Sequence, residues 1–466
     1  MSEEEAMSDD AMAMKSRGGE NKTWEIRNVC IIGELGLPSV HKATIRISGS
    51  WIIEVDHANL ANDYLDATGL VALPGVIDPH VHFRTPGWEH KEDWTTGSAS
   101  ALLGGVTTVF DMPNTPVPLT TAEGVKDKED FVGDRAVDYR FWIGATADDN
   151  THAIAEAARY TRHRLAGVKI YMGSSTGNLL VTDEKLLRKY FIAGGENDLV
   201  VGVHCEDEAL IREQRQKAGK NPQVYQHCHI RNTEVEIVAV AKALRLQKEI
   251  GCTLYLCHIS TPEAVELASR AKDEGRSVYV EVCPHHVLLP NTKMRDPKSA
   301  QYYKMNPSLR RLEQVLRLRA YLPRQGFVDT IGSDHAPHTR EEKSRAAYDE
   351  IPSGVPGVQT LLLSLLRIGW TDGLALERVV ELTSRNAARI FGLKRKGRIG
   401  PGYDADIVLV SPDTVTTIRD EDMATKCGWT PFRGMFVRGT PEAVVAAGAL
   451  RIIGCSFTNE IIPANM

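Results

Sequence analysis

Eight times between residues 70 and 340, a short apolar, β-branched run gives way to a polar residue and then to a stretch long enough for a helix. The runs cover 70–79, 105–112, 137–145, 166–172, 199–204, 252–258, 277–283 and 328–333. Strands alternating with helical segments imply βαβ units and a parallel sheet, and eight units suggest closure into a (β/α)8 barrel of roughly 250 residues. Two of the intervening segments carry helix starts. Residues 233–249 begin with Thr-x-x-Glu and residues 261–273 with Thr-Pro, both usable at a first turn. Residues 375–391 read as one more amphipathic helix.

The barrel pattern occupies 74–396 of the 466 residues. On either side the texture changes to short strand-like runs between turn residues, in 22–73 and again in 397–466. These flanks are expected to pair into one small β-sandwich, giving an α/β chain with an appended β domain. Residues 1–21 hold six acids (Glu3, Glu4, Glu5, Asp9, Asp10, Glu20) against Lys15 and Arg17, and read as a disordered acidic tail. That tail carries −4 of the net charge of −6. The balance argues against nucleic acid as a partner, since phosphate binding needs clustered Lys and Arg. No apolar run approaches the 18 or more residues of a spanning helix, so no membrane partner is expected. The eight Cys form no C-x-x-C pair and several sit in apolar runs, which fits free thiols in a reducing, cytoplasmic setting. A small-molecule substrate is the expected partner, and a homo-oligomer is left open.

In a (β/α)8 barrel the chemistry gathers at the C-terminal ends of the strands. The polar residues there form a set: Asp78-Pro79-His80-Val81-His82-Phe83-Arg84 after the first run, Lys169 in the fourth, His204 and His258 closing the fifth and sixth, and Asp334 after the eighth. In extended backbone, residues i and i+2 point to one side, so His80 and His82 can face one metal ion. Imidazole suits zinc, and the remaining His and Asp residues supply enough ligands for two ions. Lys169 has two readings. It reaches out of the barrel mouth, or burial beside cations lowers its pKa so that it reacts with carbon dioxide to give a carbamate able to bridge two ions.

An ordered series of motifs from about 25 to 455 resembles the cyclic amidohydrolases, and within them the dihydroorotase group. They are DPHVHFRTPG (78–87), GGVTTVFDMPNTPVP (104–118), KIYMGSSTGN (169–178), HCED (204–207), CHIST (257–261), EVCPHH (281–286), KMNPSLR (304–310), SDHAPHT (333–339) and KGRIGPGYDADIVL (396–409). The resemblance implies two Zn2+ ions, the more buried on His80, His82 and Asp334, the more exposed on His204 and His258. Lys169, carboxylated by carbon dioxide or bicarbonate, would bridge them together with a hydroxide that acts as nucleophile. Asp334 would be the general acid/base. The implied reaction interconverts N-carbamoyl-L-aspartate and L-dihydroorotate, a ring closure of pyrimidine biosynthesis.

The resemblance further implies that Arg84, Asn114 and His338 hold the substrate carboxylate, that Asn306 contacts the ring, and that the 351–357 loop offers Ser353 and Gly354. Thr85 departs from the acid that commonly follows the Arg, and Ser353 stands where Phe or Ala is frequent. The alternatives are an allantoinase or hydantoinase, which would share the metal set, and a non-catalytic scaffold, which would have lost ligands. Among the other polar residues, His285 and His286 read as packing or supporting residues, and His335 as a partner of a ligand. His90, His152, His163, His227 and His229 read as surface residues. Asp111 either orients a metal-binding His or closes a strand-end turn. Cys205 and Cys257 should turn away from the metals by strand alternation.

Overall fold

The computed structural model describes residues 22–32, 40–56, 59–175, 177–454 and 456–457; the acidic tail lies outside them. All eight apolar runs contain a strand of one parallel sheet. The strands are β1 (Val76–Val81), β2 (Val106–Asp111), β3 (Asp138–Gly144), β4 (Leu165–Tyr171), β5 (Val200–His204), β6 (Leu254–Leu256), β7 (Val278–Val282) and β8 (Thr330–Ile331). They pair in sequence order, the order of a (β/α)8 barrel. The ring is drawn together beyond β8, where Val81 bridges to His335 and His82 N donates to His335 O at 2.8 Å. The first run is split: Val71–Pro74 joins the other sheet and only the part from Val76 enters the barrel.

Trp142 on β3 fills the barrel interior, with its Nε1 donating to Pro79 O at 3.0 Å. Its bulk leaves room only for glycine at two nearby strand positions: a Cβ would lie 2.6 Å from the Trp142 ring at Gly202 on β5, and 2.9 Å from it at Gly167 on β4, where Val200 O is closer still at 2.2 Å. Helices cover the outside. Helix Thr233–Ile250 is capped by Asn232, whose side chain accepts from Val235 N, one residue earlier than the Thr start read from sequence. Helix Pro262–Asp273 is capped by Thr261 as expected. The segment read as one helix over 375–391 runs from Leu376 to Ile390, with a π turn at Glu381–Arg385.

The flanks form one nine-stranded sheet built from both ends of the chain, with Val71–Pro74 paired between Thr23–Ile32 and Ile407–Thr417. Its strands build an apolar cluster that includes Trp24, Ile45, Ile407 and Val445, while alternate residues such as Leu73, Val408 and Val444 join the barrel's core. The outer strand Trp51–Val55 is covered in turn by 402–405, through Ile52 N to Tyr403 O and Ala405 N to Ser50 O. Trp24 Nε1 donates to Gly448 O at 3.0 Å, tying the two termini together. Buried Lys396 pins this sheet to the barrel by pairing with Asp138 on β3 and with Asp404 and Asp406.

Candidate active site

At the C-terminal end of the barrel, His80 and His82 both direct Nε2 at Asp334 Oδ1, at 3.3 and 3.1 Å. The outer nitrogen of each ring is held. His80 Nδ1 lies 2.8 Å from Glu281 Oε1, and His82 Nδ1 donates to Asn114 Oδ1 at 2.8 Å. Such partners fix ring orientation and tautomer in metal sites. Burial by itself would raise the Asp334 carboxyl, but His80, His82 and His258 outweigh it and hold it well below the usual range. Burial depresses His80, yet Glu281 and Asp334 reverse this and bring it to about 10, while burial takes His82 to about 3. The His80 proton thus stands where a cation would.

Beside this cluster, His204 Nδ1 lies 2.9 Å from His258 Nε2, and His204 Nε2 donates to Glu206 Oε2 at 2.9 Å. Glu206 is buried and paired with Arg231, which also binds Ser174 O in the loop after β4. Burial would raise Glu206, but Arg231 prevails and holds it at about 2. Burial lowers both His204 and His258, leaving neutral rings that can coordinate a cation.

Lys169 points inward from β4, fully buried, with its charge acting on His80, His204 and His258. Among the described residues its Nζ has no hydrogen-bond partner, and neither has His258 Nδ1. A buried ammonium facing imidazoles is costly, and carboxylation would replace it with an anion bearing two oxygens. The donor set of four imidazoles, one carboxylate and that carbamate therefore fits two borderline divalent cations such as zinc.

Three site residues, Arg84, His258 and Asp334, have left-handed backbones at φ 63°, 39° and 46°. Such conformations cost about 1–3 kcal/mol each and persist where surrounding structure imposes them. Asp111 does part of this, though through neither role read from sequence: its Oδ1 accepts from Phe83 N at 2.8 Å and its Oδ2 pairs with Lys128 at 2.6 Å. The turn at His258 breaks strand alternation, so Cys257 does not turn away as expected. It joins His80 and Glu281 in a group whose ligand atoms lie within 4.8 Å of one another.

Arg84 is buried, and its Nη2 lies 3.2 Å from His338 Nε2. Burial lowers its guanidinium to about 10, which leaves it charged at neutral pH. Asn114 meets His82 as described, so it orients a candidate ligand as well as lining the site. His338 Nε2 lies 3.2 Å from Ser353 O. Gly354 has φ 142°, and a Cβ there would lie 2.5 Å from Ala336 O. This loop is fastened by Lys343, whose Nζ donates to Lys304 O, Pro352 O and Gly354 O at 2.9–3.0 Å.

Asn306 Oδ1 accepts from His227 Nε2 at 3.1 Å. His227, read as a surface residue, is buried and also bonds Tyr348 Oη at 2.6 Å; nothing in its spacing marks this. His335 does meet a candidate ligand, through its backbone oxygen, which accepts from His82 N, while its ring meets Glu92 and Gly357 N. Sequence reading passed over Glu281, Glu206, Arg231 and Lys343. The first two lie within quoted motifs, and Glu206 stands two residues after His204, the spacing that places side chains on one side.

Residues 71–451 match the amidohydrolase family. The chain is 38% identical over 395 residues to a dihydroorotase from Halobacterium salinarum, covering 84% of this chain and 89% of that one. It is 31% identical to an allantoinase from Salmonella newport, covering 84% and 87%. The solved L-hydantoinase (dihydropyrimidinase) from Arthrobacter aurescens superposes with a TM-score of 0.87 at 28% identity, over 94% of this chain and 97% of that one.

Proposed function

The chain belongs to the amidohydrolase family, as a cyclic amide hydrolase, and on that premise we propose that it is a dihydroorotase. In this reading it interconverts N-carbamoyl-L-aspartate and L-dihydroorotate in pyrimidine biosynthesis, as a zinc enzyme of the cytoplasm. The observation that carries the reading is the buried Arg84 guanidinium 3.2 Å from His338, close enough to Asp334 for its charge to be felt. A planar cation with parallel donors matches a carboxylate. Dihydroorotate and carbamoyl-aspartate carry a carboxylate besides the reacting amide; allantoin does not.

His80, His82 and Asp334 would hold one cation, His204 and His258 the other, with carboxylated Lys169 between them. When bound, two such ions polarise the substrate carbonyl and make hydroxide available near neutral pH. Glu281 and Asn114 keep the Nε2 atoms of His80 and His82 facing inward, and Glu206 keeps His204 Nδ1 inward. Asp334, held as a carboxylate, takes the proton of the attacking water at an Oδ atom. It delivers that proton to the ring nitrogen as the C–N bond breaks, and in ring closure the transfers reverse. Arg84 and His338 fix the substrate carboxylate while Ser353 and Gly354 line the ring, with Lys343 keeping their loop in place.

The similarity to an allantoinase and a hydantoinase favours a second reading, in which the same machinery opens a ring without a carboxylate. Zinc-loaded full-length protein, assayed separately with L-dihydroorotate and allantoin, separates the two. We expect dihydroorotate turnover, with Arg84→Ala lowering its kcat/KM by about 10- to 150-fold, the equivalent of the roughly 1.5–3 kcal/mol of a charged hydrogen bond. Turnover of allantoin with none of dihydroorotate would overturn the proposal.

A further inference from the structure

Directly after β7 the chain runs Cys283-Pro284-His285-His286 into the short helix Pro284–Leu288. Its Cys and two His are buried, and none of them belongs to the set around Asp334 and Lys169. One ligand atom from each lies within 4.8 Å of the others. The two rings are 4.3 Å apart between centroids and meet edge to face.

The hydrogen bonding of these rings is incomplete in a particular way. His286 Nε2 donates to Pro307 O at 3.0 Å, which fixes the proton on that nitrogen and leaves a lone pair on Nδ1. That Nδ1 is buried and has no partner among the described residues, and the same holds for His285 Nε2. One buried lone pair and a second unsatisfied ring nitrogen beside a thiol ask for a common partner, because buried polar atoms in native proteins are satisfied. A carbonyl that fixes one ring nitrogen while the other stays open is also the usual support of a metal-binding histidine. We propose that Cys283, His285 and His286 form a separate cation site for zinc or a similarly thiophilic divalent ion.

Thiolate and imidazole are the donors such an ion prefers, with water completing a four-coordinate shell. Binding exchanges the Cys283 thiol proton for the metal–sulfur bond, and the proton leaves to solvent. The ion would clamp the end of β7 to the helix that follows it. Because β7 carries Glu281, which holds His80, the clamp would stiffen one wall of the active site without entering it.

The test uses the full chain loaded with Co2+, which replaces zinc and gives a near-ultraviolet thiolate charge-transfer band. Bound metal is counted by elemental analysis in the wild type and in Cys283→Ser, His286→Gln and Cys257→Ser, with circular dichroism to verify folding. The proposal requires the band in the wild type, its loss with one equivalent of metal in Cys283→Ser, and its retention in Cys257→Ser. His286→Gln should lose the same equivalent, and serves alone should Cys283→Ser fail to fold. A wild type without the band, a Cys283→Ser or His286→Gln protein with undiminished metal, or a band that vanishes in Cys257→Ser would each overturn it. None of these readings depends on which cyclic amide the enzyme hydrolyses.

Discussion

Around Asp334, two imidazoles meet a carboxylate at 3.1–3.3 Å; around Lys169, two imidazoles meet an ammonium that has no hydrogen-bond partner among the described residues. The first half of the site is therefore an attractive place for a cation as it stands. The second becomes one only after Lys169 exchanges its positive charge for the negative charge of a carbamate. The two halves also differ in their supports. His80 and His82 are steered by Glu281 and Asn114, whereas His204 is steered by a Glu206–Arg231 pair that reaches into the loop at Ser174. On the proposed reading the first ion can bind before Lys169 is carboxylated, whereas the second waits for the carbamate.

The severest way to break this comparison is Lys169→Ala. Elemental analysis should find the second ion gone and the first kept. Hydrolysis should fall by more than the roughly 10²–10⁴-fold that a proton-transfer group contributes. Retention of both ions would mean that the halves are not distinguished by Lys169. Asp334→Asn should come next, lowering kcat by about 10²–10⁴-fold and weakening the first ion, as read by steady-state kinetics together with metal counting. Smaller effects should follow at the supports: Glu281→Gln should loosen the first ion and Glu206→Gln the second, each by about 10- to 100-fold. Competition with a chromophoric chelator would measure this, and equal loosening of both ions by either change would show that they are coupled.

The last effect concerns protons. With no cation bound His80 sits at about 10, so below that pH the first ion must displace a proton. Its affinity should rise about tenfold per pH unit toward 10, with one proton released. His204 and His258, both depressed by burial, are already unprotonated at neutral pH and should release none. Calorimetry in buffers of different ionisation enthalpy would count them, and an affinity for the first ion that stays flat from about pH 6 to 8 would contradict the assignment.

The barrel was legible because each strand is a local event: an apolar run and a polar end can be read without knowing the neighbours, and all eight runs contain a barrel strand. His80, His82 and Asp334 were legible for the same reason, since strand ends converge in this architecture. The supports were not. Glu281 meets His80 across 201 residues, and Lys343 reaches carbonyls on two loops, contacts that no spacing announces. His227 shows the reverse error, a histidine without pattern that is buried by packing against Tyr348 and Met305. Alternation failed at Cys257 because the backbone beside it turns left-handed at His258.

The sheet made from both ends of the chain also sets a timetable. Thr23–Ile32 and Val71–Pro74 leave the ribosome early, but the strand that pairs with Val71–Pro74, Ile407–Thr417, emerges only after the whole barrel has been made. At roughly 5–20 residues per second that delay is on the order of tens of seconds. Throughout it the growing chain carries an unpaired strand edge at Val71–Pro74, an exposure to aggregation that lasts until the barrel has been made.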